Sequence, residues 1–498
     1  MGVCFIPLCD CFEANQSRPN AFSCGRDGDQ CRPFDNQTYN FRCPASCGNT
    51  QVLNPYTVGA TTINYHTLVV GGPTEKEGTY ENIYRGDSFV CSAAVHAGII
   101  SNKDGGCLTA SLIGTQPNFP SVTQNGITSI GFNSSFPLAM TLKKRSEGGK
   151  QSSSAACSDP QWRALGVSVT FTSILSLFTT SSALFYCATF VSTFFQTALA
   201  SDAPYSATFD GVVSTAMSRL LPAVFVGLII YFYCVRYTLR RLRAQVEKTV
   251  LWLGACWVGV LSNYTLEKIP LQRLTPHDIK QQPGAIVALV FIVLILVTIS
   301  CLQAWTFRNE GRLARYLGIY ALLGTFVLLL LAIPRLNLRI HHYILALLLL
   351  PMTKIQTRPS LLYQGLLVGL FINGIARWGF ASILQTSAEL QGDARFTNAL
   401  PIITTPTVSG NNITFSIGLE DGYNGLSALV NDVERFRVFG QSNNTISWMK
   451  QVGDTTEYFR FAYFKYDSFG AAAQVYTQAG IWNDDGSWTH MPPGPSSN

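Results

Sequence analysis

The stretch GAIVALVFIVLILVTISCLQAW, residues 284–305, decides the fold class of this chain. It contains no charged residue, and a helix of this length, rising about 1.5 Å per residue, crosses the roughly 30 Å hydrocarbon core of a bilayer. Seven further apolar runs without Asp or Glu accompany it, at about 163–178, 183–200, 217–235, 249–264, 313–333, 340–353 and 361–383. The pattern predicts a multi-domain membrane protein with an α-helical transmembrane bundle over residues 163–385.

The number of spans depends on residues 163–200, which form either one long tilted helix or a hairpin that turns near residues 179–182. Cytoplasmic loops of membrane proteins are enriched in Lys and Arg. A hairpin places one large basic set in those loops: Arg236, Arg240, Arg241, Arg243, Lys248, Arg308, Arg312, Arg315, Lys354 and Arg358. We therefore predict about eight spans. The alternative is seven spans, which would leave the C-terminal domain in the cytoplasm.

The positive charge of the chain is confined to its middle. The formal net charge is +6, made up of −1 in residues 1–160, +12 in residues 161–385 and −5 in residues 386–498. Nucleic-acid binding requires a basic face on a soluble module. Because the two flanking regions are neutral and acidic, we expect no nucleic-acid partner.

Cysteines and glycosylation triplets indicate an oxidising compartment for both ends. Residues 1–160 hold ten of the 14 cysteines, a density typical of disulfide-bonded modules. Zinc is the competing explanation, but the C-x3-C pair of Cys43 and Cys47 has no second pair at finger-like spacing, so we expect no metal. Asn-x-Ser/Thr triplets occur at Asn15, Asn36, Asn133, Asn412 and Asn443. We predict that both soluble ends are lumenal or extracellular, in the secretory pathway or plasma membrane.

Three motifs define the module at residues 41–145: CPASCG (43–48), RGDSFVCSAAVHAGIISNKDGG (85–106) and NFPSVTQNGITSIGF (118–132). In this order they resemble the LCCL domain family. The resemblance implies a small α/β domain with one helix wrapped by strands. It also implies two disulfides, Cys31 to Cys43 and Cys47 to Cys91, and a lipid, lipopolysaccharide or glycan ligand.

The residues of this module predict one buried helix and several strands. Asp87 is a plausible helix N-cap, and the helix that follows is apolar on all sides, as expected of a buried one. Alternating runs predict strands at 108–113, 127–132 and 139–142. Two departures from the family pattern are expected: residues 60–84 form an inserted loop, and the extra Cys107 pairs with Cys24. His96 lies on the predicted helix without a nucleophile and carboxylate in a recognisable arrangement, so we interpret it as a hydrogen-bonded core histidine.

Residues 400–498 predict an all-β sandwich. Alternating runs occupy 413–418, 426–436, 445–450 and 458–464, separated by Gly, Asn and Asp. The region resembles a fibronectin type III-like module with Trp448 as a candidate core aromatic. NDDGSW, residues 483–488, could suggest calcium, but a calcium loop needs more oxygen ligands, so we predict a hairpin turn.

Several polar residues near the last two membrane runs form a candidate intramembrane polar cluster: His341, His342, Gln364, Asn373 and Arg377. The adjacent histidines point about 100° apart on a helix and cannot ligate one metal from one face. Anchoring at the membrane interface is the favoured role for them, with Tyr343 and Trp378 in an aromatic belt. Gly365, Gly369, Gly374 and Gly379 predict close helix packing.

The membrane region also resembles fungal multi-spanning LCCL proteins, through KTVLWLGACW (248–257), LEKIPLQRLTPHDIKQQPG (266–284) and residues 337–380. We divide the chain into a Cys-rich extension (1–40), the LCCL domain, linkers at 146–162 and 386–399, the bundle and the sandwich. The first residues lack signal-peptide character, so we expect an upstream signal or signal-anchor segment.

The leading functional hypothesis is a non-enzymatic membrane protein, without a cofactor, whose LCCL module recognises lipid, glycan or cell-wall ligands among membrane lipids. The alternative is a transporter or channel for a lipid or small solute, which the absence of intramembrane carboxylates disfavours. An intramembrane enzyme using His341 or His342 is a third hypothesis, and it lacks a visible nucleophile.

Overall fold

The chain forms two compact units in a computed structural model. The terminal unit comprises Met1–Asp159 together with Arg395–Asn498, and the helical unit comprises Pro160–Ala394. The two ends of the chain therefore fold together. The described residues are 12–13, 38–53, 55–76, 79–144, 146–147, 150–151, 159, 161–201, 209–271, 274, 276–334, 336–339, 341–385, 399–439, 445–450, 455–467, 470–473 and 475–496.

The N-terminal module is built on a six-stranded sheet of order β1-β2-β7-β10-β6-β5. Its strands are β1 (Phe12–Glu13), β2 (Thr38–Cys43), β5 (Gly71–Lys76), β6 (Thr79–Arg85), β7 (Gly106–Gln116) and β10 (Phe136–Lys144). Three small hairpins join β3 (Tyr56–Val58) to β4 (Thr61–Ile63), β8 (Thr123–Gln124) to β9 (Ile127–Thr128), and β11 (Ser146–Glu147) to β12 (Lys150–Gln151). All of these pairings are antiparallel except that of β1 with β2.

The predicted inserted loop at residues 60–84 is wrong. Strands β5 and β6 lie in this stretch and extend the main sheet, with Ala139 of β10 opposite Arg85 of β6. The extra residues thus contribute a sheet edge. The prediction relied on the distance between Cys47 and Cys91, which is longer here than the family pattern implies. The alternating residues of β6 were themselves compatible with a strand.

Helix α1 (Val90–His96) is buried along its whole length, as its small apolar residues predicted. The alanines at its centre, Ala93 and Ala94, are fully buried in the core of the module. The prediction that Asp87 caps this helix is wrong: the N-cap residue is Phe89, and no side chain bonds the first turn. Asp87 instead binds Arg85, because a buried guanidinium requires a carboxylate partner.

The disulfide of the module joins Cys43 to Cys91, with Cα atoms 5.5 Å apart. The pairings carried over from the family, Cys31 to Cys43 and Cys47 to Cys91, are therefore wrong. Cys43 ends β2 beside α1, whereas Cys47 begins the 3₁₀ turn Cys47–Asn49 and its thiol donates to the carbonyl oxygen of Cys91 at 3.7 Å. Cys107 is also disulfide-bonded. Its predicted partner Cys24 lies outside the described residues, as does Cys31.

The helical unit contains helical segments at all eight predicted apolar runs. Its helices are α2 (Gln161–Phe178), α3 (Ser182–Gln196), α4 (Phe209–Ile230), α5 (Arg236–Leu239), α6 (Gln245–Glu247), α7 (Gly254–Val260), α8 (Ser262–Thr265), α9 (Pro276–Gln281), α10 (Ala285–Asn309), α11 (Leu313–Leu331), α12 (His342–Leu349) and α13 (Arg358–Trp378). π-Helical turns at Thr197–Ser201, Tyr231–Val235 and Lys248–Leu253 and a 3₁₀ turn at Leu350–Thr353 extend them. Strands β13 (Asn337–Leu338) and β14 (Leu384–Gln385) pair beside them.

Within the part of the chain that the structure describes, five segments are long and apolar enough to cross a membrane: Ser182–Ser201, Asp210–Leu239, Ala285–Asn309, Leu313–Leu331 and Arg358–Trp378. His342–Thr353 is a shorter apolar helix. The candidate spans indicate a membrane protein.

Residues 163–200 form a hairpin, which confirms that part of the prediction. Helix α2 ends at Phe178 and α3 begins at Ser182, whose predecessor Ser181 caps it by accepting from the amide of Leu184. Ser168 donates to Gln196 Oε1 at 3.0 Å, so the start of α2 lies beside the end of α3.

Helix α13 is the centre of the helical unit and packs on the segment Lys248–Val260. A Cβ at Gly365 would collide with the carbonyl oxygen of Trp252, and one at Gly369 with that of Cys256. The two backbones can approach this closely only because these glycines lack side chains. The small face predicted for this helix therefore serves helix packing.

The C-terminal module consists of two antiparallel sheets. One contains β15 (Thr407–Ser409), β16 (Asn412–Ser416) and β19 (Thr445–Met449). The other has the order β18-β17-β20-β22-β23, with β21 also paired to β20, and contains β17 (Gly425–Val430), β18 (Val433–Phe439), β20 (Glu457–Asp467), β21 (Gly470–Ala473), β22 (Gly480–Trp482) and β23 (Trp488–Thr489).

Aromatic side chains join the two sheets face to face. The ring of Phe415 lies 5.1 Å from that of Phe459 and 5.0 Å from that of Phe461. Trp482 is fully buried, whereas the predicted core aromatic Trp448 is only partly buried at the edge of this core. Strands β22 and β23 flank residues 483–487, which confirms the predicted hairpin turn in NDDGSW.

The prediction of one strand over residues 426–436 is wrong, because the chain reverses at Asn431 and Asp432. Both residues have positive φ, 55° and 62°, as a two-residue type I′ turn requires. An Asn-Asp pair is a weaker turn signal than Asn-Gly, and the apolar residues on both sides conceal it.

We predict that replacing Cys43 by Ser lowers the stability of the terminal unit by about 4 kcal/mol, since the disulfide closes a long loop in the unfolded chain. Chemical unfolding of the purified chain with and without reductant measures this. Cys47→Ala is the matched control and should keep the reductant sensitivity of the native protein. A loss of stability in Cys47→Ala as large as that in Cys43→Ser would contradict the Cys43–Cys91 pairing and favour the family pairing, in which both cysteines are bonded.

Candidate functional site

The turn between β17 and β18 is a part of the C-terminal module that contacts the N-terminal module through buried charged groups. The amide of Asn431 donates to the carbonyl of Tyr458 at 2.8 Å, and the amide of Tyr458 donates to Asn431 Oδ1 at 2.9 Å. These bonds fix the turn on β20. The next residue, Asp432, then points its carboxylate into the N-terminal module.

Asp432 Oδ2 accepts two hydrogen bonds from residues more than 340 positions away in the chain. The amide of Gly59 donates at 2.7 Å and Arg85 Nη1 at 2.8 Å. Both partners belong to the N-terminal module. We call this group of Arg85, Asp87, Asp432 and Arg460 the joint.

Arg85 is the most constrained member of the joint. Its guanidinium makes a two-pronged contact with Asp87, at 2.9 Å from Nε and 2.7 Å from Nη2, while Nη1 reaches Asp432. The group also lies 4.7 Å from the ring centroid of Phe132 and 4.6 Å from that of Phe136. Bidentate pairing and cation–π contact are both stronger in a buried, weakly screened position.

Arg460 of β20 completes the joint from the other module. Its Nη2 donates to the carbonyl of Gly59 at 2.6 Å, and its Nη1 lies 3.8 Å from Asp432 Oδ1. Gly59 therefore bonds Asp432 through its amide and Arg460 through its carbonyl. It has φ of 58°, and a Cβ there would lie 3.1 Å from the ring of Tyr458, so both conformation and space favour glycine.

Charge within the joint is balanced and fixed. Two arginines face two aspartates, and all four side chains are at most about one-twentieth exposed. Burial by itself lowers the pKa of Arg85, but Asp87 and Asp432 outweigh it and raise the pKa overall. Tyr56 donates to Asp87 at 2.6 Å, and burial together with that carboxylate raises its pKa well above the usual value. The charged groups of the joint bind one another, so the joint acts as a structural element.

An apolar core continues across the same boundary. Val433, Tyr458 and Ala479 of the C-terminal module belong to the buried cluster formed by α1 and the six-stranded sheet. The ring of Tyr458 lies 5.7 Å from that of Phe132, and its hydroxyl donates to Asn133 Oδ1. The two modules therefore form one composite domain rather than two independent domains.

The predicted glycosylation sites fall at different places. Asn412 is exposed on β16. Asn133 is exposed as a residue while its side-chain oxygen accepts from Tyr458, so it lies at the rim of the joint. Asn36 and Asn443 lie outside the described residues.

His96 lies within the core of the N-terminal module with both ring nitrogens engaged. Nδ1 is 2.8 Å from the hydroxyl of Tyr84, and Nε2 is 3.0 Å from the carbonyl of Val122. Because a carbonyl only accepts, Nε2 carries the proton and Nδ1 accepts from Tyr84. Burial lowers the pKa of His96. The structure thus places it as the hydrogen-bonded core histidine that the sequence predicted.

In the helical unit, Gln364 ties together three other segments. Its amide nitrogen donates to the hydroxyls of Thr238 at 3.0 Å and Thr353 at 3.2 Å, and its oxygen accepts from Trp252 Nε1 at 3.1 Å. Asn373 donates to the carbonyl of Val260 at 2.7 Å. Nine residues separate the two amides along α13, about 13 Å at helical rise, so they belong to separate contacts.

His341, His342 and Arg377 lie near the opposite end of α13 from Gln364. His341 is the N-cap residue of α12, and its ring stacks on that of Tyr343. Tyr343 is buried and donates to the carbonyl of Ala381 at 2.7 Å, so its predicted place in an aromatic belt is wrong, whereas Trp378 is exposed. Among the residues that the structure describes, no group of three or more His, Cys, Asp or Glu could hold a metal.

Comparison with known proteins gives the class of the N-terminal module. Residues 13–136 match the family model of the LCCL domain, so the chain contains an LCCL domain, as its motifs predicted. The match begins upstream of the boundary predicted at residue 41.

One relative covers most of the chain. Over 446 residues, the chain is 33% identical to "Uncharacterized protein YIL067C" of Saccharomyces cerevisiae. The alignment covers 85% of this chain and 64% of the relative, so the chain spans just under two thirds of that protein's length. No solved structure matches the chain.

We predict that Asp432→Asn destabilises the terminal unit by about 3–5 kcal/mol, because it leaves Arg85 and Arg460 buried beside too little negative charge. Limited proteolysis of the full chain across a denaturant series measures this. Asp421→Asn, an exposed acid in the same module, is the control and should change stability by less than about 0.5 kcal/mol. Equal effects of the two variants would contradict the joint.

A second prediction concerns pH. Because the pKa of His96 is lower in the folded state than in the unfolded chain, the folded state binds fewer protons. The stabilisation is therefore complete above about pH 6.5, the unfolded value, and declines as pH falls below it. His96→Gln should flatten this dependence in unfolding experiments between pH 7.5 and pH 5, and the exposed His66→Gln should retain it. An unchanged pH profile in His96→Gln would refute the assignment.

Proposed function

We propose that this protein is a non-enzymatic integral membrane protein that displays its LCCL domain, joined to the C-terminal module, on the lumenal or extracellular side of a membrane. There the composite domain binds a lipid, glycan or cell-wall ligand. The observation that carries the proposal is the Arg85–Asp432 ion pair with its surrounding core, because this contact supports placing both ends of the chain in one compartment.

The joint restricts the number of membrane crossings. Two modules that pack on each other lie on the same side of the membrane. The chain between them must then cross the membrane an even number of times. The seven-span alternative would separate Asp432 from Arg85 by a bilayer. Eight crossings satisfy the restriction, and so do fewer crossings in even number.

Contacts inside the helical unit support a direction of α2 opposite to that of α3 and to that of the segment that runs from Lys248 to α8 (Ser262–Thr265). At one end, Tyr264 donates to Gln161 Oε1 and to the carbonyl of Ser201, both at 2.9 Å. At the other end, Lys248 Nζ donates to the carbonyl of Thr179 at 2.9 Å. The start of α2 and the turn that follows α3 thus both contact Tyr264 of α8. This arrangement is expected if successive segments cross the membrane in opposite directions.

Strand order supports a fibronectin type III-like assignment for the C-terminal module. The first, second and fifth of its strands form one sheet, while the fourth, third and sixth are successive neighbours in the other. Fibronectin type III modules divide their strands between two packed sheets in this way. The presence of cysteines, sequons and a yeast relative agrees with a secretory glycoprotein of fungal type.

Recognition by the LCCL domain is favoured over transport by the state of the buried amides. Gln364 and Asn373 are engaged in bonds between helices, which is a packing role. No observation favours transport specifically. The ligand class follows from the family resemblance, since the yeast relative is uncharacterized.

We predict that Asn133 and Asn412 lie on the same side of the membrane. In cells, Asn133→Gln and Asn412→Gln should each remove one endoglycosidase-sensitive mass increment. An increment at Asn133 combined with an unmodified Asn412 that cytosolic protease can reach would overturn the topology and favour seven spans.

Binding is tested with the full chain in neutral nanodiscs, against immobilised β-glucan, mannan, lipopolysaccharide and phospholipid vesicles. We expect saturable binding to one class, reduced by at least about tenfold in Asp432→Asn and unaffected in Asp421→Asn. Absence of binding to every class, together with solute flux through the protein in liposomes, would replace the proposal by the transport alternative.

A further inference from the structure

Three turns of the helical unit meet at one end and are bonded to one another. They comprise residues 236–248, 307–316 and 353–358. Gln356 Nε2 donates to the carbonyl of Arg240 at 3.0 Å, and Arg312 Nη1 donates to the carbonyl of Lys354 at 3.4 Å. We call this surface the arginine end.

Positive charge dominates the arginine end. Its three turns contain ten Lys or Arg and two acids, Glu247 and Glu310. Both acids are already bound to arginines: Arg358 lies 2.5 Å from Glu247, and Arg312 lies 2.6 Å from Glu310. Seven arginines of the surface are exposed: Arg236, Arg240, Arg241, Arg243, Arg308, Arg315 and Arg358.

Arg312 and the two lysines have structural roles that separate them from this exposed set. The guanidinium of Arg312 lies 4.9 Å from the ring of Tyr237 and 5.4 Å from those of Phe307 and Tyr316. Lys248 is buried on Thr179, and Lys354 Nζ lies 5.7 Å from Tyr237. Aromatic contacts thus hold the three turns together. Of the exposed arginines, Arg358 binds Glu247, and the other six, all within the described residues, make no ion pair with the two acids of this surface.

The type of side chain indicates the type of partner. All seven exposed cations are arginines, whose planar fork of donors matches phosphate oxygens in a bidentate way that lysine cannot reproduce. Arg241 occupies a left-handed conformation with φ of 55°, where glycine or asparagine would be less strained.

The depth of the arginine end relative to a bilayer indicates where its partner lies. Helix α10 is a 25-residue apolar helix in which only Ala285, Gln303 and Phe307 are buried within the protein, and its last turns contain Trp305, Arg308 and Asn309. Trp305 is exposed, and Arg308 lies 5.7 Å from its ring. An aromatic residue followed by arginine after such a run marks the headgroup level of a bilayer.

We propose that the arginine end binds the phosphate headgroups of anionic lipids in the leaflet that it faces. The inference rests on the membrane embedding of the proposed function but not on its ligand or its sidedness. Phosphomonoester lipids, such as phosphatidic acid and phosphoinositides, fit best because their dianionic group presents three equivalent oxygens to the forked donors of arginine.

The plainer explanation is that these arginines only orient the chain during insertion. Orientation depends on charge, and lysine serves it as well as arginine. Headgroup binding through forked donors depends on the guanidinium itself. Replacing arginine by lysine therefore distinguishes the two explanations.

The test uses the full chain in neutral detergent, titrated with short-chain phosphatidic acid and short-chain phosphatidylinositol phosphate while the thermal unfolding midpoint is recorded. We expect a saturable rise in the midpoint with either lipid and none with short-chain phosphatidylcholine or inorganic phosphate. The triple variant R240Q/R241Q/R243Q should weaken binding at least about tenfold, since each basic residue near an anionic surface contributes severalfold to the affinity.

Matched variants separate the explanations. R163Q/K268Q removes two exposed cations from the other end of the bundle and should bind as the native chain does. R241G should keep or raise the midpoint without lipid, because glycine tolerates the turn, yet bind lipid more weakly. R240K/R241K/R243K should also bind more weakly while remaining inserted and oriented as the native protein is.

Full retention of lipid binding in R240K/R241K/R243K or in R240Q/R241Q/R243Q would overturn the proposal, as would equal stabilisation by inorganic phosphate. Detergent solution has no sides, so these results do not depend on the topology. Failure of lipid binding is thereby distinguishable from failure of the proposed function, which glycosylation and ligand binding test separately.

Discussion

The ion pair between Arg85 and Asp432 is the constraint on which the rest of the structure depends. It joins residues at the two ends of the chain, and the core around Phe132 and Tyr458 surrounds it with apolar contacts. Each module supplies one arginine and one aspartate to the joint, and Asp432 bonds Arg85 across the boundary. The LCCL domain therefore shares its buried charges and part of its core with the C-terminal module.

The joint contributes more to the specificity of packing between the two modules than to their stability. Buried ion pairs often contribute little net stability compared with apolar replacements, but they exclude wrong partners strongly. Here the turn at Asn431 and Asp432 offers one carboxylate at one position, and Gly59 offers an amide and a carbonyl that only a matched surface can use. The arrangement fixes the register of two modules whose apolar surfaces alone would permit several.

The helical unit follows a different physical rule. Apolar surface gives no preference between helix and lipid, so its helices associate through close backbone approach and internal hydrogen bonds. Gly365 and Gly369 supply the approach, and Gln364 supplies the bonds. The same unit leaves α10 and α11 almost wholly exposed, as lipid-facing helices are, and gathers its arginines at one end. Packing thus lies at the centre of this unit and charge at its boundary.

The sequence by itself determined what depends on neighbouring residues: the eight apolar helical segments, the turn at residues 179–182, the LCCL motifs and the buried helix around His96. Only the tertiary structure decided pairings between distant residues. Cys43 and Cys47 both lie beside Cys91, and spacing cannot tell which sulfur reaches it. Asp87 could cap a helix or bind Arg85, and the outcome depended on burial. The joint carried no local signal at all, because Asp432 finds its partners 347 and 373 residues earlier in the chain.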